Sequence, residues 1–252
     1  MEKNRKFNWT RNVLIGVALL IAIAAGTFFW YVNDYYEATA IAIEALQSDG
    51  TVTVSETDDT ITFAPSGVNP EEGIIFYPGG KVEAEAYAPL LRSLADADLL
   101  VVIAKMPFHL AVFDADAAEA IMAQENGVED WYLAGHSLGG VMASSFAADQ
   151  SDEVAGLIFL ASYPSGDLTD VPFPVLSIYG SEDEVLNRES YAEAQGKLPD
   201  DYTEIVLDGG NHGQFGDYGP QEGDGTASFS ADQQQQQTVE AILAFIGNSH
   251  QQ

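Results

Sequence analysis

Residues Trp131–Phe146 read WYLAGHSLGGVMASSF. An apolar run ends in a Gly-x-Ser-x-Gly turn, Gly135-His136-Ser137-Leu138-Gly139, and passes into small residues of helical character. A serine at a sharp strand-to-helix turn adopts a strained backbone that presents its Oγ above the sheet. The residues two before and two after it then come so close that side chains would clash, which suits Gly135 and Gly139. The first turn of the helix leaves backbone N–H groups unpaired, and that of Leu138 would help to hold an oxyanion. Read alone, the pentapeptide is also what a glycine-rich connector shows, so the flanking elements have to decide.

Outward from this turn, short apolar runs alternate with helical segments. GIIFYPG, from Gly73, is the continuous apolar run of a parallel strand covered on both faces. In YAPLLRSLADA, Pro89 suits a first helical turn and Tyr87, Leu90, Leu91 and Leu94 share one face. LLVVIA, WYLAG, VAGLIFLAS, PVLSIYG and TEIVLDG read as further strands, and Asp114–Asn126, LGGVMASSFAAD and Arg188–Gly196 as helices between them. Ahead of the series, TVTVSE and TITFAP flank Asp58-Asp59 as a hairpin would. In the last helix Ser230 and Gln233 fit a capping box and Gly247 a stop, which makes Gln233–Gln237 an exposed helix start. The alternation specifies an α/β fold, a mostly parallel central sheet with helices on both faces.

A serine hydroxyl needs a base, and the sequence holds four histidines. His136 lies inside the turn and is expected to pack beside the nucleophile; His250 is in the polar tail. His109, in KMPFHLAVF, follows a strand and could line the pocket. His212, in LDGGNHGQFG, lies just past the last strand on a glycine-rich loop able to reach the centre of the sheet. The base in turn needs an acid to hold its tautomer and to stabilise the imidazolium. Asp183 comes three residues after Gly180 in VLSIYGSEDEV, with Glu182 and Glu184 as chemical competitors. Ser137, Asp183 and His212 occur in that order, each directly after a strand.

From about Gly73 to Gly247 the chain resembles the α/β-hydrolase family. Four segments carry the likeness: IIFYPGG for the oxyanion-loop strand, GHSLGG for the nucleophile elbow, YGSEDEV for the acid turn and GGNHGQFG for the histidine loop. The resemblance implies Ser137 as nucleophile, Asp183 as acid and His212 as base. It also implies a second oxyanion donor beside Leu138, for which Gly80 is the first choice and Lys81 the reserve. Lys81, His109 and His136 are possible pocket residues. Two departures stand out: Pro78-Gly79 replaces the common His-Gly pair, and a serine stands where the otherwise similar small dienelactone hydrolases use cysteine. Between Tyr163 and Phe173 there is no room for a lid domain, so an open cleft is expected. The implied activity is hydrolysis of a small-molecule ester through an acyl-enzyme, with no cofactor. Thioester or amide hydrolysis, acyl transfer on the same triad, and a non-catalytic surface binding protein with this fold are the alternatives.

An N-terminal extension precedes the domain. Lys3, Arg5, Lys6 and Arg11 flank the uncharged run Val13–Val32, which at ~1.5 Å per residue just crosses a ~30 Å hydrocarbon core. We expect a basic cytoplasmic flank over residues 1–12, a membrane anchor over 13–32, a spacer over 33–50, the hydrolase domain over 51–248 and a tail over 249–252. The basic flank keeps the N-terminus cytoplasmic and the catalytic domain outside the cell. Ala22-Ile23-Ala24 offers secretion after signal cleavage as the rival. The formal net charge of −30 repels nucleic acid and anionic membrane surfaces, so neither is expected as a partner. Such charge reads as the solvated surface of a salt-adapted extracellular protein. The absence of cysteine excludes disulfides, thiolate catalysis and Cys-ligated zinc. Asp217, Glu222 and Asp224 lack a cation-ligand spacing, so no metal is expected and the stretch Gly209–Phe229 reads as a solvated loop. Nothing in the sequence specifies an oligomeric state.

Overall fold

The computed structural model describes residues 2–249, with side chains from Trp9 onward; Lys3, Arg5 and Lys6 of the basic flank and His250 of the tail fall outside the described side chains. The chain divides into two compact units, Met1–Tyr35 and Tyr36–Gln252. The first is one helix, α1 (Glu2–Asn33). Its stretch Trp9–Asn33 is long and apolar enough to cross a membrane or to act as a signal sequence.

The second unit is built on an eight-stranded sheet in the order β1-β2-β4-β3-β5-β6-β7-β8. In chain order these are β1 (Val52–Glu56), β2 (Thr60–Pro65), β3 (Glu72–Tyr77), β4 (Leu100–Ala104), β5 (Asp130–His136), β6 (Gly156–Leu160), β7 (Val175–Gly180) and β8 (Tyr202–Leu207). The hairpin β1-β2 joins antiparallel to β4, and every other pairing is parallel. The short helix α2 (Ala40–Glu44) precedes the sheet. Tyr36 bridges Val82, and its N–H donates to the Lys81 carbonyl at 2.8 Å, so the residues from Tyr36 on are tied to the domain.

Side chains that alternate along each strand feed two cores, one on each face. Ile74, Phe76, Tyr132 and Ile158 pack with Leu90, Leu91 and Leu94 of α3 (Ala88–Ala95) and with Ile242 and Ile246 of α7 (Ala231–Ser249). Ile75, Leu133, Leu157 and Phe159 pack with Ile121 of α4 (Ala117–Gln124) and with Ala143, Phe146 and Ala147 of α5 (Leu138–Asp149). Full burial of each Leu, Ile or Phe side chain contributes about 1.5–3 kcal/mol, so the continuous apolar strands account for a sheet with both faces covered. The segment between β6 and β7 carries no helix or strand.

Two sequence expectations need correction. Helix α7 passes through Gly247 and continues to Ser249, the last described residue: nothing lies within 4 Å of where a Cβ at Gly247 would stand, and no positive φ stops the helix there. The glutamine run is not simply an exposed start, because Gln234 and Gln235 are buried. The capping box itself is present, with Ser230 Oγ accepting from Gln233 N–H at 3.3 Å and Gln233 Oε1 accepting from Ser230 N–H at 3.2 Å.

Candidate active site

The parallel register brings the C-terminal ends of the central strands together. Tyr77 at the end of β3 pairs with Gly135 of β5, and His136 pairs with Leu160 of β6. Ser137 follows directly, at φ 51°, ψ −122°, a backbone state that costs a residue with a side chain about 1–3 kcal/mol. Its surroundings fix it there: Ser137 N–H donates to the Leu160 carbonyl at 3.0 Å, and the Ser137 carbonyl accepts from Ser162 Oγ at 2.7 Å. The glycines at either side are required by contact. A Cβ at Gly139 would stand 2.0 Å from the Tyr77 carbonyl oxygen, and one at Gly135 2.4 Å from Gly140 N.

The same contact lays the loop after β3 against the start of α5. Of its four backbone positions, Pro78 has no N–H, Gly79 N–H donates to Tyr87 Oη at 3.0 Å and Lys81 N–H donates to the His109 carbonyl at 2.8 Å. The N–H of Gly80 remains uncommitted, as does that of Leu138 in the first turn of α5. A Cβ at Gly80 would lie 3.4 Å from Leu138 Cβ, so the two free donors belong to adjoining backbone.

Asp183 and His212 come from the ends of β7 and β8, whose last residues Gly180 and Leu207 are paired. The Asp183 carboxylate is buried, whereas its sequence rivals Glu182 and Glu184 are exposed. Its Oδ1 accepts from the N–H groups of Val185 and Leu186 at 2.9 and 2.7 Å, and its Oδ2 lies 2.9 Å from His212 Nδ1. Arg188, ahead of the rest of α6 (Arg188–Ala194), holds the acid turn by donating from Nη2 to the carbonyls of Gly180 and Asp183 at 2.9 and 3.3 Å.

The histidine loop is tied down by residues that sequence reasoning missed. Gln234 grips Asn211 at both ends, its Oε1 accepting from Asn211 N–H at 3.0 Å and its Nε2 donating to the Asn211 carbonyl at 2.8 Å. Asp224 accepts from the N–H groups of His212 and Gly213 at 3.2 and 2.8 Å. Asp217 accepts from Thr39 Oγ1 at 2.5 Å. The stretch Gly209–Phe229 is thus an ordered support and not a loose solvated loop. A signal for Gln234 was available, because it lies in helical phase with Thr238, Ile242 and Ile246, all buried.

Ser137 and His212 open on one cleft of ≈ 240 Å³, whose other walls include Leu138, Ser162, Tyr163 and Leu186. The His212 ring bonds Asp183 and makes no hydrogen bond to Ser137 Oγ; catalytic bonds of this kind often tighten only with substrate in place. His136 does not line the cleft. It is buried behind the elbow, 2.8 Å from Tyr87 Oη, and burial followed by the charge of His212 holds its pKa well below the ordinary imidazole value. His109 lines a separate hollow of ≈ 210 Å³ with Lys105, Glu85 and Met106, and burial lowers its pKa against the opposing charges of Glu83 and Glu85. Lys81 is in the lining of neither and adopts φ 62° in the loop after β3. Among the described residues, no group of His, Asp and Glu could hold a metal ion.

The profile of a family described as the alpha/beta hydrolase family matches residues 73–236. Among solved structures, Est1E from Butyrivibrio proteoclasticus is 15% identical, with a TM-score of 0.57 over 79% of this chain and 100% of that one. It has also been solved with ferulic acid bound. TT1662 from Thermus thermophilus is 16% identical, with a TM-score of 0.57 over 79% of this chain and 98% of that one. At such identity these likenesses establish the fold. A search of curated proteins gave no match.

Proposed function

The chain belongs to the alpha/beta hydrolase family, and from that premise we propose that it is a serine hydrolase of small carboxylic esters, anchored by α1 with its catalytic domain outside the cell. One observation carries the catalytic part: His212, paired with the buried Asp183 at 2.9 Å, lines the same cleft as a serine held at φ 51°.

With Asp183 ionised, His212 donates from Nδ1 and keeps a lone pair on Nε2. Ser137 Oγ attacks the ester carbonyl carbon while its proton passes to Nε2. The developing oxyanion is taken by Leu138 N–H and Gly80 N–H, the donors not already spent on the protein. The imidazolium then gives its proton to the departing alkoxide, which leaves an acyl group on Oγ. Water, deprotonated by Nε2, attacks the acyl carbon, and the carboxylic acid leaves as Oγ recovers its proton. A cleft of ≈ 240 Å³ favours short acyl or alcohol groups. Ester cleavage in an open cleft needs no separate cap, in keeping with the plain connection between β6 and β7.

The full chain in detergent, exposed to a fluorophosphonate and then digested for mass spectrometry, tests the assignment. We expect a single adduct on Ser137, lost in Ser137→Ala together with turnover of short esters. A folded protein that takes no adduct, or a Ser137→Ala variant that retains turnover, would overturn it.

A further inference from the structure

Tyr87 and His136 are fully buried beside the site, and neither has a part in the proton transfers above. Tyr87 closes the 3-10 turn Ala84–Tyr87, and its ring is packed on Phe76 with centroids 4.7 Å apart. Its hydroxyl accepts the Gly79 N–H at 3.0 Å and lies 2.8 Å from His136 Nδ1. A phenol has one proton. With Gly79 N–H directed at the oxygen, donation of that proton to Nδ1 puts the ring proton of His136 on Nε2, which is buried with no hydrogen-bond partner among the described residues, and leaves the ring uncharged.

This chain of hydrogen bonds starts one residue before Gly80 and ends one residue before Ser137. It fits no side chain at its origin: a Cβ at Gly79 would stand 2.7 Å from His136 Nδ1 and 2.8 Å from Tyr87 Oη. The far face of the relay meets the base, with the His136 and His212 ring centroids 4.5 Å apart.

We propose that Tyr87 and His136 are positioning residues of the hydrolase site. The Gly79–Tyr87–His136 chain fixes the Gly80 N–H relative to Ser137 and backs His212 with a neutral ring. The inference rests on the acyl-enzyme reading of Ser137. Both services matter most once charge has formed, when the oxyanion needs its donor in place and the His212 imidazolium needs a neighbour that does not repel it. Loss of the relay therefore falls on kcat, with little effect on KM.

The test uses the full chain in detergent micelles with p-nitrophenyl acetate, a fluorophosphonate to follow Ser137, and four variants. Tyr87→Phe and His136→Leu should each lower kcat by about tenfold or more, with KM within about threefold. Their double variant should be little worse than either alone, as expected of residues that act through one chain. His136→Asn, whose amide oxygen can take the Tyr87 proton at the place of Nδ1, should recover most of the rate lost in His136→Leu. A Tyr87→Phe enzyme within about twofold of wild type, or single losses that multiply in the double variant, would overturn the relay. An asparagine no better than leucine would do the same. If His136→Leu does not fold, Tyr87→Phe and His136→Asn decide between them. Wild-type protein with neither turnover nor a Ser137 adduct overturns the hydrolase assignment and the relay with it, whereas an active wild type beside an unaffected Tyr87→Phe overturns the relay alone.

Discussion

His212 meets Asp183 at 2.9 Å through Nδ1 and Oδ2, while the other oxygen of Asp183 is held by two backbone N–H groups. That division makes Asp183→Asn informative. The amide oxygen would stay with Val185 and Leu186, which turns the NH2 toward His212 Nδ1. Nδ1 must then accept, the ring proton moves to Nε2, and the base loses the lone pair that Ser137 requires. We expect kcat to fall by about 10³–10⁴-fold with the fold retained. Steady-state kinetics beside a circular dichroism melt checks it, and a loss below about tenfold would place the orienting acid elsewhere.

The glutamine run makes a second prediction by contrast. Gln234→Ala leaves the half-buried N–H and carbonyl of Asn211 without their partner next to His212, at up to about 1–3 kcal/mol for each unsatisfied group. Gln236 is exposed and bonds only Glu240, so Gln236→Ala should stay within about 0.5 kcal/mol of wild type. Thermal melts of the pair measure the difference, and equal melting temperatures would show that Gln234 does not hold the loop.

The same residues show why some of the site was legible and some was not. The elbow could be read because its geometry excludes side chains: Gly135 and Gly139 meet backbone atoms at contact distance, and that demand is written into five consecutive positions. The parallel sheet could be read because strands buried on both faces need unbroken apolar runs such as Ile74–Tyr77 and Leu157–Leu160. Asp224 could not, because a supporting carboxylate and a solvated one look alike until the backbone they serve is in place; the helical phase of Gln234 marks its burial but not the Asn211 backbone it grips. Tyr87 was placed on the right helix face by its spacing, but the role of its hydroxyl depends on Gly79 and His136, and His136 lies 49 positions further on.

The anchoring of the domain is open to a direct check. In cells that express the full chain, an uncleaved anchor predicts that the protein resists alkaline carbonate extraction and retains its N-terminal peptides. External protease should remove the acidic domain from intact cells while the basic flank stays protected. Soluble protein that lacks everything up to about Ala24 would establish a cleaved signal instead.

His136 ties stability to pH in a direction that follows from its burial. In the unfolded chain it titrates near the ordinary value of 6.5, whereas in the folded chain burial, then the charge of His212, keep it neutral well below that value. Above about pH 7.5 neither state binds the proton and the residue adds nothing to the pH dependence. Below 6.5 the unfolded state binds a proton that the folded state refuses, so stability falls as the solution is acidified, by at most about 1.4 kcal/mol per pH unit. The decline continues down to the folded-state pKa. His136→Asn removes this titration, so the difference between the two proteins isolates the buried ring. Urea unfolding at pH 7.5, 6.5 and 5.5, taken here as about one-unit steps through the transition, should show the wild type losing stability faster than the variant, with the gap widening toward acid. Parallel pH dependences would mean that His136 takes up its proton in the folded protein as readily as in the unfolded chain.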